Sequence, residues 1–126
     1  MNNLVSYLDG LISEKDGDIK NWLNNKYTRA PALYSSVDIR YSGNKIAPVD
    51  TNLFPAGFNN LSSESRKIAT KLAYSYIKNQ DEDIHKILLI PESHTRNLGY
   101  LENIKTLYRI FLNAGFEVKI GALQSE

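Results

Sequence analysis

The sequence has 126 residues, among them no cysteine and only two histidines, His85 and His94. The absence of cysteine excludes a disulfide framework, a thiol nucleophile and cysteine-ligated zinc. Two histidines are too few for a metal site built from histidine alone, so any metal would need carboxylate or phosphate oxygens. We therefore predict that the chain holds no metal by itself.

The sequence also lacks an excess of charge of either sign. It has 15 basic and 14 acidic residues, and the formal net charge is +1. A balanced chain gives no electrostatic footprint for nucleic acid or for an anionic membrane. The longest apolar run, residues 87–90, is far shorter than the roughly 20 residues that span a membrane. The amino terminus lacks the basic flank and apolar region of a signal peptide. We expect a cytoplasmic protein that binds neither nucleic acid nor membrane.

Several catalytic motifs are absent as well. The sequence contains no glycine-rich phosphate loop of the P-loop or dinucleotide type, no GxSxG elbow and no HExxH motif. Self-contained nucleotide binding is therefore not predicted, and we expect no cofactor to bind to this chain alone.

The length and the apolar content of 42% suit one compact domain with its own core. Residues 1–33 predict two short helices or one interrupted helix, because apolar residues recur there at helical spacing. Residues 34–126 predict an α/β domain with a mostly parallel sheet. The apolar positions of the amino-terminal segment are Leu4, Leu8, Leu11, Ile12, Ile19, Trp22 and Leu23.

The carboxyl-terminal half contains the clearest supersecondary signal. A strand over 86–90, a helix over 97–113 and a strand over 116–120 predict a βαβ unit, with Gly115 ending the helix. The two strands are expected to be parallel neighbours joined by a right-handed crossover. A further helix is expected from Ser62 or Ser63 to about residue 79, since either serine can cap it.

Residues 36–49 predict a β-hairpin. In the first strand Val37, Ile39 and Tyr41 alternate with Asp38 and Arg40, which is the period of a half-buried strand with both charged residues on one face. The turn 42–44 contains Gly and Asn, and a return strand over 45–49 follows. A solvated strand face gives the same alternation, so the pattern leaves both interpretations open.

Two polar loops complete a candidate binding site, one over 50–60 and one over 91–97. The second follows a predicted parallel strand, and ligands of open α/β sheets bind at the carboxyl ends of strands. The same residues are also compatible with ordinary surface roles. Glu92 and Arg96 would then form an ion pair, Asn97 would cap the following helix, and Asp50 would form an Asx turn. The candidate substrate-binding residues are Asp38, Arg40, Lys45, Asp50, Asn52, Asn59, Asn60, Glu92, His94, Arg96 and Asn97.

At these residues the sequence resembles the proteobacterial type of glutamate-cysteine ligase, the ATP-dependent enzyme that forms γ-glutamylcysteine in glutathione synthesis. Ser93 departs from the asparagine of the corresponding family loop. The stretches that carry the resemblance are Val37–Arg40, Lys45–Asn60, Ile90–Asn97, Tyr100–Asn103 and Ala114–Gly121.

The resemblance implies a Rossmann-like domain that precedes an ATP-grasp region, and members of the family are several times longer than this chain. ATP and Mg²⁺ are implied for the full-length enzyme, with their sites in the later segment. The resemblance also implies that Arg40 or Arg96 holds a carboxylate or phosphate, and that Asp38, Glu92 or Asp50 holds an ammonium group.

Three functions are compatible with the sequence. The chain is expected to be an amino-terminal fragment or separately encoded part of a glutamate-cysteine ligase, inactive alone, with an ATP-grasp portion as a separate partner chain. Glutamate or cysteine is then the expected ligand. The alternatives are a non-catalytic module that binds an amino acid or a protein, and a functionless remnant of a truncated gene.

Overall fold

The computed structural model describes residues 4–26, 32–92 and 97–122. In these ranges no helix combines the length and the hydropathy needed to cross a membrane. The elements are α1 (Leu4–Glu14), α2 (Asp16–Lys26), β1 (Ser35–Tyr41), β2 (Ile46–Leu53), a 3₁₀ turn (Phe58–Asn60), α3 (Ser63–Gln80), β3 (Lys86–Leu89), α4 (Leu98–Asn113) and β4 (Glu117–Ile120).

The chain divides into two compact units, Met1–Ala32 and Leu33–Glu126. In the first unit α1 and α2 follow each other with one residue between them, and neither helix has a buried residue within the described range. An ion pair of 2.7 Å joins Lys20 Nζ to Asp16 Oδ2 one turn earlier on α2. Both side chains are exposed, so this pair adds little stability.

The predicted βαβ unit is confirmed in the second compact unit. β3 and β4 are parallel, with Lys86 opposite Glu117 and Leu89 opposite Ile120, and α4 connects them. Asn97 caps α4, because its Oδ1 accepts a hydrogen bond of 2.8 Å from the N–H of Gly99. Gly115 has φ +93°, the left-handed conformation that ends a helix before a strand. The handedness of the crossover stays a prediction.

The prediction of a mostly parallel sheet is wrong for the described residues. They form two separate two-stranded sheets, antiparallel β1–β2 and parallel β3–β4. β1 and β2 are joined by a short turn, which permits only an antiparallel pair, because a parallel pair needs a long crossover. β3 is therefore not the expected central strand, and its Leu88 is 61% exposed.

The core lies between α3, α4 and one face of the β3–β4 sheet. Its buried apolar residues belong to α3, to α4 and to the β4 end of the sheet. Ile87 and Leu89 of β3 pack against them. Ser62 begins α3 as predicted, accepting a hydrogen bond of 3.1 Å from the N–H of Ser65. The buried apolar residues are Ala73, Ile77, Leu107, Ile110, Phe111, Phe116 and Val118.

The predicted hairpin is confirmed but is longer than expected. β2 continues to Leu53, so the first residues of the predicted loop 50–60 belong to a strand. The expected half-burial of β1 is wrong: Val37, Ile39 and Tyr41 are all exposed, Ile39 at 64%. The reason is that no helix or second sheet described in the second compact unit packs on the hairpin, so neither face is covered there.

Candidate functional site

The hairpin brings four of the predicted site residues onto one face. Residues directly opposite in an antiparallel pair share a face, and so do residues two apart on a strand. Asp38 lies opposite Asp50, and Asn52 lies opposite Ser36. The register shifts after Asp38, and Arg40 then lies opposite Ala47. This polar face of the hairpin contains Ser36, Asp38, Arg40, Asp50 and Asn52.

Two carboxylates face each other at the centre of this polar face. Asn52 Nδ2 donates a hydrogen bond of 3.2 Å to Asp50 Oδ2. Among the described residues, neither Asp38 nor Asp50 has an ion pair with lysine or arginine. Like charges directly opposite on a hairpin are destabilising, so an external cation would be favoured there. An ammonium group is the natural ligand for such a pair of carboxylates.

Lys45 lies at the other end of the hairpin, next to the turn. Its main-chain oxygen accepts a hydrogen bond of 3.0 Å from the N–H of Ser42, just beyond the last paired residues, Tyr41 and Ile46. Gly43 has φ +91° in this turn. The structure therefore assigns Lys45 a main-chain role in closing the hairpin, and its predicted ligand role stays a prediction.

The two predicted loops meet at a cavity of about 670 Å³ in the second compact unit. Phe54, Pro55 and Ala56 from the first loop and Glu92 from the second lie on its wall. Neither Asp38 nor Arg40 is among the described residues that line it. Of the predicted site residues in the two loops, only Glu92 lines this mainly apolar cavity. The predicted polar cleft shared by all three segments therefore stays a prediction.

Contacts between aromatic rings stabilise the part of the cavity wall that contains Tyr34 and Phe54. The ring of Tyr34 meets Phe54 edge to face at 5.4 Å and Phe58 at 5.1 Å between centroids. Phe54 has φ +57°, an uncommon backbone conformation for a bulky residue. Such strained residues cluster at ligand-contacting and switch segments, where the surrounding structure holds them in place.

Two tyrosines, Tyr34 and Tyr100, supply hydroxyl groups at the same cavity. Tyr100 Oη accepts a hydrogen bond of 2.8 Å from the N–H of Glu92, which ties the end of β3 to the first turn of α4. Burial raises the pKa of Tyr34 above 10.0, and the charge of ionised Tyr100 nearby raises it further. The Tyr34 hydroxyl therefore remains a neutral hydrogen-bonding group at physiological pH.

Asn59 and Asn60 lie in the 3₁₀ turn, where their described contacts are local or structural. Asn59 Nδ2 donates to Asn60 Oδ1 at 3.4 Å, and the main-chain oxygen of Asn59 accepts from Arg66 Nη2 at 2.8 Å. Arg66 Nε is buried and has no hydrogen-bond partner in the described part of the chain. Asn97 is the helix cap described above, while His94 and Arg96 lie outside the described residues.

Sequence reasoning missed the three residues that bring a side-chain hydroxyl or amide group to the cavity wall: Tyr34, Tyr100 and Asn103. Asn103 is 3% exposed, and its Oδ1 accepts a hydrogen bond of 2.8 Å from the N–H of Phe58. A signal was present for Asn103, which precedes Leu107 by one helical turn and so lies on the apolar stripe of α4. A polar residue on a buried stripe needs a partner.

A metal site is not evident in the described ranges, where no three or more histidine, aspartate or glutamate side chains are grouped to hold an ion. The chemistry that the geometry supports is therefore recognition of a charged group by the polar hairpin face. The 670 Å³ cavity offers a second, mostly apolar, surface.

Comparison with known proteins decides the family. The family model described as "GshA: Glutamate-cysteine ligase" matches residues 9–126. The chain belongs to the glutamate-cysteine ligase family. No curated protein matches it. A crystal structure of a candidate γ-glutamylcysteine synthetase from Methylobacillus flagellatus KT is similar, with 39% sequence identity and a TM-score of 0.82. The match covers 93% of this chain and 28% of that one, so the chain spans little more than a quarter of the relative.

Proposed function

We propose that this glutamate-cysteine ligase family chain supplies part of the amino-acid site of the ligase and does not complete the reaction alone. The observation that carries the proposal is the family match over residues 9–126. The reaction joins the γ-carboxyl group of glutamate to the amino group of cysteine at the expense of ATP. We also propose a cytoplasmic location, because ligation of this kind draws on cytoplasmic ATP.

The polar hairpin face is the proposed contact for an amino-acid substrate. An amino acid carries an ammonium group and a carboxylate on the same carbon. Asp38 and Asp50 hold the ammonium group, and Arg40 holds the carboxylate two residues further along β1. Residues two apart on a strand are separated by about 7 Å, a distance that the long arginine side chain can shorten. Guanidinium and carboxylate form strong, paired hydrogen bonds.

The described residues do not fit ATP or Mg²⁺. No cluster of three or more histidine, aspartate or glutamate side chains that could hold a metal ion is found among them. The sequence also has no phosphate-binding loop. We therefore assign nucleotide and metal binding to the part of the ligase that this chain does not span. The partner in our proposal is that part, present as a separate chain or as a continuation of this one.

An assay of γ-glutamylcysteine formation tests the proposal. The chain alone, given ATP, Mg²⁺, glutamate and cysteine, should form no product. The same chain, co-expressed with the part of the Methylobacillus flagellatus relative that lies outside the match, should form product with ATP consumption. Product from the chain alone, or none from the co-expressed pair, would count against the proposal.

Arg40→Ala in the co-expressed pair should raise the glutamate or cysteine concentration needed for half-maximal rate by roughly 10-fold to 100-fold. A paired guanidinium contact is worth about 1.5 to 3 kcal/mol. The matched control is Lys67→Ala, which removes an exposed cation that pairs with Glu64 on the surface of α3. Equal, small effects of the two substitutions would show that the hairpin face is merely solvated.

A further inference from the structure

The outer edge of β3 has main-chain groups with no partner strand in the described part of the chain. The hydrogen bonds from Glu117 N to His85 O (2.9 Å) and from Gly121 N to Leu89 O (2.8 Å) show that the odd-numbered residues of β3 face β4. Main-chain groups of a strand alternate in direction, so those of Lys86, Leu88 and Ile90 point to the open side. This edge is a template for another strand.

A groove runs along this same edge. The 670 Å³ cavity is lined by the residues from Lys86 to Ile90 and also by Leu33, Tyr34 and Phe54–Ala56. Tyr100, Ile104 and Leu107 of α4 line it as well. The groove therefore contacts an open strand edge, a helix and a loop segment, which are the neighbours that an added strand would need.

The groove is large enough to admit a peptide segment, since its volume of about 670 Å³ lies within the range of roughly 300 to 1,000 Å³ that is usual for ligand sites. The wall is mainly apolar, so alternate side chains of the added strand should be apolar as well.

We propose that this groove binds a β-strand from the part of the ligase that this chain does not span, and that the strand extends the β3–β4 sheet at the edge of β3. The inference rests on the proposed function for the identity of the partner. The occupant is argued from length: the similar Methylobacillus flagellatus chain has most of its residues outside the match, which covers 28% of it. The outward main-chain groups of Leu88 and Ile90 are then paired in the assembled protein.

Amide hydrogen exchange tests this placement. In the chain alone, the Leu88 and Ile90 amides should exchange at least 100-fold faster than those of Ile87 and Leu89, which face β4. In the complex with the co-expressed remainder of the relative, all four should be protected. The intact relative provides a second measurement, in which the amides aligned with Leu88 and Ile90 should be protected. Rapid exchange of these amides in both the complex and the intact relative would overturn the proposal.

Substitutions at the groove separate strand addition from general contact. Leu88→Pro removes an outward N–H, which an edge strand tolerates, whereas Leu88→Ala keeps it. Only the proline variant should weaken the complex, by 10-fold or more. Should Leu88→Pro fail to fold, Ala56→Arg fills the groove without changing β3, and Ser75→Arg on the exposed surface of α3 is its control. Equal affinities of the arginine variants would overturn the proposal.

The outcomes for this inference and for the proposed function are distinct. An active complex whose Leu88 and Ile90 amides exchange rapidly refutes the strand and leaves the function standing. A complex with protected amides and no ligase activity supports the strand and refutes the function. A dimer of this chain alone that protects the same amides would replace the proposed occupant with a second copy, and so would overturn the assignment.

Discussion

Asn103 Oδ1 accepts a hydrogen bond of 2.8 Å from the main-chain N–H of Phe58, 45 residues earlier in the chain. Asn103 is buried on α4. Phe58 begins the 3₁₀ turn that follows Phe54–Ala56, the loop residues that line the cavity. This bond therefore fixes the position of the 50–60 segment relative to α4.

Asn103→Ala should lower the free energy of unfolding by about 1 to 3 kcal/mol, because it leaves the part-buried Phe58 amide without its acceptor. Asn113→Ala, at the exposed end of the same helix, is the matched control and should change stability by less than about 0.5 kcal/mol. Urea unfolding followed by circular dichroism measures both. A loss at Asn103 no larger than the loss at Asn113 would show that the bond does not stabilise the fold.

Tyr34 predicts a loss of stability at high pH. Burial raises the pKa of Tyr34 above its value of 10.0 in the unfolded chain. The unfolded chain therefore releases the Tyr34 proton at a lower pH than the folded chain does. The contribution of Tyr34 to the free energy of unfolding is fully present below pH 10 and is lost as the pH rises through the raised pKa. The stability of wild type relative to Tyr34→Phe should therefore fall as the pH is raised above 10. A difference that stays constant over this range would contradict the raised pKa.

Asp38→Asn should stabilise the isolated chain by about 0.2 to 1 kcal/mol, because it removes one of two like charges directly opposite on the hairpin. The gain should shrink between 20 mM and 500 mM NaCl, since salt screens exposed charges. Asp9→Asn on α1 is a control with no such partner across a strand. Loss of stability in Asp38→Asn at low salt would mean that the Asp38 carboxylate has a favourable partner.

Leu89 and Leu88 are adjacent on β3 and should respond differently to truncation. Leu89 packs against the core and Leu88 points away from it, so Leu89→Ala should cost about 2 kcal/mol and Leu88→Ala at most about 0.5 kcal/mol. Chemical denaturation of the two variants in parallel provides the measurement. Equal costs would indicate that the α4 side of the sheet is not the packed side.

The elements that could be predicted from the sequence are those set by local patterns. The βαβ unit depended on an apolar run, a helical stripe and Gly115 as a stop signal, all within one stretch of chain. Ser62 could be predicted as a cap because capping involves neighbouring residues only. The family resemblance likewise rested on contiguous motifs, which the match over 9–126 confirms.

The site could be predicted only in part, because its geometry depends on contacts between distant segments. The facing carboxylates of Asp38 and Asp50 depend on a register that shifts immediately after Asp38. Since a one-residue slip moves a side chain to the other face of a strand, alternation alone could not place Asp50 beside Asp38. The sequence pattern of the hairpin predicted where the two strands lie. The register of their pairing decided which of their residues share a face.

By itself the sequence determined the helices, the strands and the family, since periodicity, caps and motifs act between neighbouring residues. Only the tertiary structure decided that the strands form two small sheets, that β1 is exposed on both faces and that β3 has an open edge beside a groove. An apolar residue such as Leu88 has the same local pattern whether its strand is covered or not. Burial is a property of the neighbours that pack on a strand, and these come from elsewhere in the chain.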